Sequence, residues 1–319
     1  MISGGMEAMR TTANKGAWIL LAGIFILCFT VMPGVAGELT IDADQQFDFA
    51  RFCMEKGHYQ RAIAELDRFI YFFPEDRRVP LAHHLIGICW LEDGRHREAR
   101  EIFSRTIRED PDSLFAGKAL FLTGESYYRE AKLDRAAAFF GEVLKTDPAP
   151  RLKNAAYYRL GWTRMREGLW QEAAEVFRRV EKGDRLYPSA ARLSVESLNG
   201  DLLPYKDPAC AGVMAGILPG LGHAYVSRYK DALVAFLLNG LFIWATVESF
   251  HQDHDVLGGI LAFFEAGWYA GNIYSAVNVT HKWNKKVRDD FLGRLGDVLD
   301  VRVLALGKRP AGLALTFRF

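Results

Sequence analysis

Apolar and polar positions divide the chain into regimes with different physical logic. A short apolar run, Ala17–Met32, lies near the N-terminus. Residues 38–206 are charged and amphipathic, and residues 207–281 are only sparsely charged. The last stretch alternates: Val301–Leu306 and Gly312–Phe319 flank Gly307-Lys308-Arg309-Pro310, which predicts a β-hairpin over 295–319. The pattern predicts a mainly α protein of several parts.

The amphipathic part repeats itself. Ala62, Ala99, Ala136 and Ala173 are each 37 residues apart, as are Ala50, Gly87, Gly124 and Gly161. Gly57, Gly94, Ala131 and Gly168 keep the same step, as do Leu66, Phe103, Phe140 and Phe177, and Pro74, Pro111 and Pro148. A small residue within a helix lets a neighbour approach closely, and a Gly or Ala before the next helical run permits a turn between antiparallel helices. The large apolar residue four positions after the alanine shares its face. Proline ends the second helix of each unit because it cannot continue the hydrogen-bond ladder. In the fourth unit Pro188 comes three residues late. Each unit is thus a helix pair, and stacked pairs bury a common core.

Gly87, Trp90, Gly94, Ala99, Phe103 and Pro111, with Gly124, Tyr127, Ala136, Phe140 and Pro148 in the next unit, resemble the tetratricopeptide repeat family. The family period is usually 34 residues; the longer step resembles the long-helix repeats of bacterial envelope proteins. Residues 43–200 are then four units plus a capping helix at 188–199. The resemblance implies an α-solenoid whose first helices line a concave groove. Its lining candidates are Phe47, Arg51, His84, Ile88, Phe121, Glu125, Tyr128, Tyr158 and Trp162. Aromatic and arginine side chains among polar ones suit protein or peptide partners.

Residues 207–284 predict a membrane module of apolar helices. Three stretches, Ala209–Val226, Ala232–Val247 and Val256–Val279, approach the roughly 20 apolar residues that a span needs. Pro219-Gly220-Leu221-Gly222-His223-Ala224-Tyr225 resembles the PGxGxxY signature of bacterial membrane modules related to the two-transmembrane domain family, with Ser227 where a glycine often stands. Glu265 and Asn272 lie seven residues apart on one helical face, and Asn239 on the facing span is a candidate to join them. An ionisable group at membrane depth is a candidate functional residue; a structural hydrogen bond, or a pair with His223, is the plainer reading.

Export and topology follow from charge. Arg10 and Lys15 precede the apolar run, and Val35-Ala36-Gly37 follows it. Residues 1–37 read as a signal peptide cleaved after Ala36 or Gly37, or as an uncleaved anchor of the same orientation. Cys28 lies inside the run, which argues against lipidation. Arg228, Lys230, Lys282, Lys285, Lys286 and Arg288 flank the last two apolar stretches, whereas His251–Asp255 between them carries no Lys or Arg. Basic flanks prefer the cytoplasmic side. With exported repeats, that rule predicts three crossings and a cytoplasmic Lys285. A re-entrant first stretch is the alternative.

Composition narrows the function. Apolar residues make up 50% and charged residues 25%, and the net charge is +1, which excludes a disordered chain or a nucleic-acid-binding tail. Cys53, Cys89 and Cys210 form neither a disulfide framework nor a CxxC pair and suit burial as small hydrophobes. Neither a nucleophile–base pair, a phosphate loop nor a metal or cofactor site is evident. The expectation is a non-enzymatic scaffold of a bacterial cell envelope. Its repeats bind envelope proteins or peptides, and its helices sit in a bilayer, the inner membrane with periplasmic repeats, or else in association with the outer membrane. The rival expectation is a transport or secretion component in which Glu265 and the PGLG segment act.

Overall fold

The computed structural model describes residues 42–299 apart from Asp147. The leader over 1–37 and the strands expected over 301–319 lie outside the described residues. The chain divides at Gln45/Gln46 into two compact units, and the architecture below belongs to the second apart from the first three residues of its first helix. Among the described residues every regular element is helical.

Four helix pairs follow in order: α1 (Ala43–Glu55) with α2 (Tyr59–Phe72), α3 (Val79–Glu92) with α4 (His96–Glu109), α5 (Leu114–Arg129) with α6 (Leu133–Lys145), and α7 (Pro150–Glu167) with α8 (Trp170–Arg178). From α2 onward each helix packs on the next, and the first helices also stack on one another, α3 on α5 and α5 on α7. The fourth pair is capped by α9 (Tyr187–Glu196) and a 3-10 turn, Ser197–Leu202. Pro188 lies in the first turn of α9, where a missing N–H costs nothing. It opens the cap rather than closing the fourth unit.

The periodic columns have distinct jobs. The turn column adopts left-handed backbone in every unit: φ is +76° at Gly57, +78° at Gly94, +58° at Ala131 and +84° at Gly168. The same pair of hydrogen bonds closes each helix; His58 N–H reaches Cys53 O at 2.9 Å, and Lys132 N–H reaches Tyr127 O at 2.9 Å. This is the Schellman geometry that favours glycine. Ala131 is the exception and carries the Cβ penalty of left-handed backbone. Ala131→Gly should therefore raise stability by about 0.5–1 kcal/mol, measured as a shift of the thermal unfolding midpoint; an unchanged or lower midpoint would refute it.

The mid-helix column is a socket. A Cβ on Gly87, Gly124 or Gly161 would stand 2.5, 2.7 or 2.7 Å from the rings of Phe103, Phe140 and Phe177 respectively. Each phenylalanine is fully buried, as are Ala62, Ala99, Ala136 and Ala173. Cys53 and Cys89 are buried beside them, whereas Cys210 is exposed, against expectation.

The C-terminal region is α10 (Pro208–Ile217), α11 (Leu221–Tyr225), α12 (Tyr229–His251) and α13 (Asp255–Leu295). The first apolar stretch does not form a span. It breaks at Leu218–Gly220 into helices of 10 and 5 residues, and 10 residues reach only about 15 Å of the roughly 30 Å of a bilayer core. Gly220 has φ +90°, and a Cβ there would lie 2.1 Å from Ala232 O. At Gly222 it would lie 2.2 Å from Ala211 O and 2.7 Å from Ala276 Cβ. The PGLG motif is thus a tight turn that seats α11 among α10, α12 and α13. Ser227, in the glycine-favouring position after it, has φ +61°.

Among the described residues α12 is the helix long and apolar enough to cross a membrane. It turns at Asp253 into α13, whose Gly258 lies so close to Phe250 that a Cβ would meet the ring at 2.9 Å. Large apolar side chains on both helices, among them Leu237, Leu241, Trp244, Phe263 and Trp268, are exposed. The 41-residue α13 runs past residue 284 to Leu295, a position expected to begin the hairpin tail. Its far end packs on the fourth helix pair: Phe291 meets Trp170 edge-on at 5.6 Å. Near the start of the module, Lys206 and Asn284 exchange backbone–amide hydrogen bonds of 2.8 and 2.7 Å. The chain therefore enters and leaves the helical module at one end, the end that carries the repeats. Lys285 therefore lies at the same end of the module as the repeats.

Candidate functional site

The expected groove residues divide by column. Phe47, His84, Phe121 and Tyr158 occupy equivalent positions, and all are buried. Their rings face the core between paired helices: Phe121 lies 5.4 Å from Phe140, and Tyr158 lies 5.7 Å from Phe177. This column is core, not groove lining. Arg51, Ile88, Glu125 and Trp162 form the next column; Arg51 is exposed, while the other three are buried. Tyr128 is half-buried.

His84 illustrates the cost of a polar group in the core column. It is fully buried, neither ring nitrogen has a hydrogen-bond partner, and Phe103 and Phe115 lie at 6.1 and 5.2 Å. Burial, aided by the Lys118 charge, pushes its pKa from 6.5 down to about 3. The unfolded chain therefore takes up a proton near pH 6.5 that the folded chain refuses until about pH 3. Stability should fall across that window as pH falls, by up to about 1.4 kcal/mol per pH unit. His84→Phe, copying Phe47 and Phe121, should flatten the slope. Unfolding midpoints measured between pH 4 and 7 check this, and an unaltered slope would refute it.

The polar chemistry concentrates on the inner side of α3, α5 and α7. Arg129 bonds Glu92 at 3.0 Å and Glu125 at 3.1 Å. Arg159 pairs with Glu125 at 2.7 Å and contacts Asp297, 138 residues further along. The series Glu92, Arg129, Glu125, Arg159, Asp297 alternates in sign. Arg159 and Arg166 both cover the Tyr128 ring, at 4.9 and 4.5 Å, and Arg166 donates to Tyr128 O at 2.9 Å. Burial alone would push the Arg159 guanidinium down; Asp297 and Glu125 outweigh it and hold it well above its ordinary value. Burial pushes the Tyr128 phenol up.

Segment 295–299 lies against this cluster. Gly296, at φ +70°, follows the last residue of α13. Arg192 Nη2 donates to Leu295 O at 2.6 Å, and Val298 N–H donates to Tyr158 Oη at 3.3 Å. Sequence reasoning selected Glu125, Tyr128 and Tyr158 but missed Arg129, Arg159, Arg166, Arg192 and Asp297. One signal was available: Arg159 stands in a column whose other members are Asp48, Leu85 and Leu122, and both leucines are buried.

Residues 48–113 and 121–191 match the tetratricopeptide repeat family. Over those residues the helix pairs form a tetratricopeptide-like solenoid. Solved structures similar to the chain include the nearly identical TPR-like repeats of a Podosopora anserina putative kinesin light chain (12% identity, TM-score 0.42, 50% of this chain and 87% of that one). MamA from residue 41 to its end, from Desulfovibrio magneticus RS-1, is similar at 15% identity and TM-score 0.36, over 61% and 91% of the two chains. A tetratricopeptide repeat protein from Parabacteroides merdae ATCC 43184 is similar at 10% identity and TM-score 0.39, over 75% and 98%. No curated protein matches the chain.

The second candidate constellation lies in the α12–α13 hairpin. Glu265 borders a cleft of about 440 Å³ with Ile243, Val247, Tyr269 and Ile273, and its carboxylate has no hydrogen-bond partner. Asn239 and Asn272 are buried but do not border this cleft. Asn239 instead donates to Ala235 O of its own helix at 2.6 Å. His223 does not pair with Glu265; its Nε2 contacts Ser275 Oγ at 3.0 Å. Pro219 is buried in the turn. The Tyr225 hydroxyl accepts from Asp207 N–H at 3.3 Å, and its ring lies under the Lys206 ammonium at 4.8 Å. The motif residues hold the module together rather than forming an open site. Among the described residues no group of three or more His, Cys, Asp and Glu could hold a metal ion.

Proposed function

We propose that the protein is a membrane-tethered scaffold of a bacterial cell envelope, whose repeats receive protein partners and whose α12–α13 hairpin lies in the bilayer. The carrying observation is one compact unit in which a tetratricopeptide solenoid packs directly on the end of a helical hairpin with an exposed apolar surface. An apolar surface of that extent on a water-facing protein marks a membrane or protein contact. A tethered solenoid raises the local concentration of whatever it binds without new contacts.

The leader-like sequence supports repeats on the outer side of the inner membrane. The shared side of repeats and basic flank supports a second reading, with both on the cytoplasmic face. Lys285→Cys in a Cys210→Ser background, which removes the exposed native thiol, distinguishes them: an impermeant thiol reagent applied to intact spheroplasts labels it in the first reading and not in the second.

The tether is tested by Leu237→Arg with Leu241→Arg, which should move the protein from the carbonate-resistant membrane pellet to the soluble or aggregated fraction. Partner capture is tested with a photo-crosslinking side chain at Arg51, on the first helix of the first unit, and at Glu142, on an outer helix, as control. Discrete adducts from position 51 alone are expected; equal patterns from both positions would sink the scaffold reading. The buried, unpartnered Glu265 favours the transport reading. Glu265→Gln should leave a scaffold's captured partners unchanged and disable a transporter.

A further inference from the structure

We infer that the site around Arg159 is a receptor for a carboxylate-bearing peptide segment, and that the chain's own Gly296–Leu299 occupies it in cis. The inference rests on the scaffold reading and names the regulation and ligand chemistry of its groove.

Charge comes first. Without Asp297 the cluster holds Arg129, Arg159 and Arg166 against Glu92 and Glu125, an excess of one positive charge. A guanidinium in the interior demands compensation. Arg159 stands in a column filled by leucine in the two preceding units, so the fold does not require a charge there. Asp297 supplies the missing carboxylate from 138 residues away.

The remaining contacts read backbone rather than side chain. Tyr158 Oη accepts from Val298 N–H, and Arg192 donates to Leu295 O. The Val298 contact reads a backbone N–H whatever the residue and the Leu295 contact fixes the end of α13 before the segment, while the carboxylate at Arg159 sets selectivity. Asp297 also accepts from Leu299 N–H at 3.0 Å through its other oxygen, which shapes the segment.

Exposure makes the occupant exchangeable. The Asp297 side chain remains 32% exposed and Val298 54% exposed, whereas the Arg159 and Glu125 side chains are 4% and 3% exposed. The receptor is core and the occupant is surface. Gly296 supplies a hinge beyond the last helical turn, so the segment can leave without unpacking Phe291 from Trp170. A short tether gives the occupant a millimolar effective concentration, which a weak partner cannot overcome and a strong one can.

The test uses the full chain in detergent micelles and a fluorescein-labelled synthetic peptide of residues 292–301, read by anisotropy. Asp297→Ala should bind the peptide at least tenfold more tightly than the unaltered chain, because the cis competitor has lost its anchor. Asp297→Asn, which keeps the side-chain shape, should do the same and guards against a folding defect in the first variant. A peptide with Asn at position 297 should bind either variant at least tenfold more weakly. Equal affinity of the unaltered chain and both variants, or no binding by any of them, would overturn the proposal. If adducts from position 51 persist in that case, the scaffold reading survives it; if they are also missing, both readings fail.

Discussion

Arg159→Ala should lower the unfolding free energy of the chain by about 3 kcal/mol. That is the low end of the cost of breaking a buried ion pair, because Arg129 still holds one oxygen of Glu125. The physical cause is not the lost attraction but the orphaned charge. Glu125 is 3% exposed and sits where Ile88 stands one unit earlier. The decisive control replaces both partners: Arg159→Leu with Glu125→Ile copies the apolar pattern of the second unit. It should recover most of the lost stability, because no unpaired charge then remains in the core. Thermal unfolding of both variants, followed by helical circular dichroism, separates the cases. A single variant within about 0.5 kcal/mol of the unaltered chain, the range of an ordinary surface substitution, would show that Arg159 is not paired in the interior.

The solenoid was legible in the sequence because local physics repeats. Glycine at the left-handed turn, glycine under a phenyl ring and proline after the second helix each leave a mark at a fixed step of 37 residues. The register therefore carried the turns and the socket together. Ala131 breaks the turn's glycine column and Ser227 stands where the PGxGxxY signature often has a glycine; only the backbone, at φ +58° and +61°, reveals that the conformation is kept and the Cβ strain borne.

The candidate site was less legible, for two reasons. The period locates a helical face but not its depth. Phe47, His84, Phe121 and Tyr158 lie on the face nearest the paired helix, so their rings are buried against it. The contact that defines the site joins Arg159 to Asp297, and no local pattern encodes a pairing across 138 residues. The first apolar stretch of the C-terminal region was misread for a similar reason. Composition made Ala209–Val226 resemble a span, yet Gly222 is there because Ala211 O and Ala276 Cβ leave no room for a side chain. Counting apolar residues cannot see that crowding, which turns the stretch back on itself.

Gly87→Ala provides the sharpest test of the socket. On helix propensity alone the change should help by about 1 kcal/mol. The structure predicts the opposite sign, because the new methyl would stand 2.5 Å from Phe103 Cε1 and a fully buried ring has nowhere to go. Overpacking of this kind costs about 1–3 kcal/mol, and the closeness of the contact puts it at the upper end, so that after the propensity gain the net loss is up to about 2 kcal/mol. The first unit supplies the rescue. It carries Ala50 where the others have glycine and Leu66 where they have phenylalanine, and both are fully buried. Phe103→Leu alone should destabilise by about 1–2 kcal/mol through the volume it vacates. Gly87→Ala combined with Phe103→Leu should be no less stable than Phe103→Leu alone, because the added methyl fills that space. The double-mutant cycle should therefore show a favourable coupling of at least about 1 kcal/mol. Additive losses would mean that the repeats are not held together by a ring seated on a glycine.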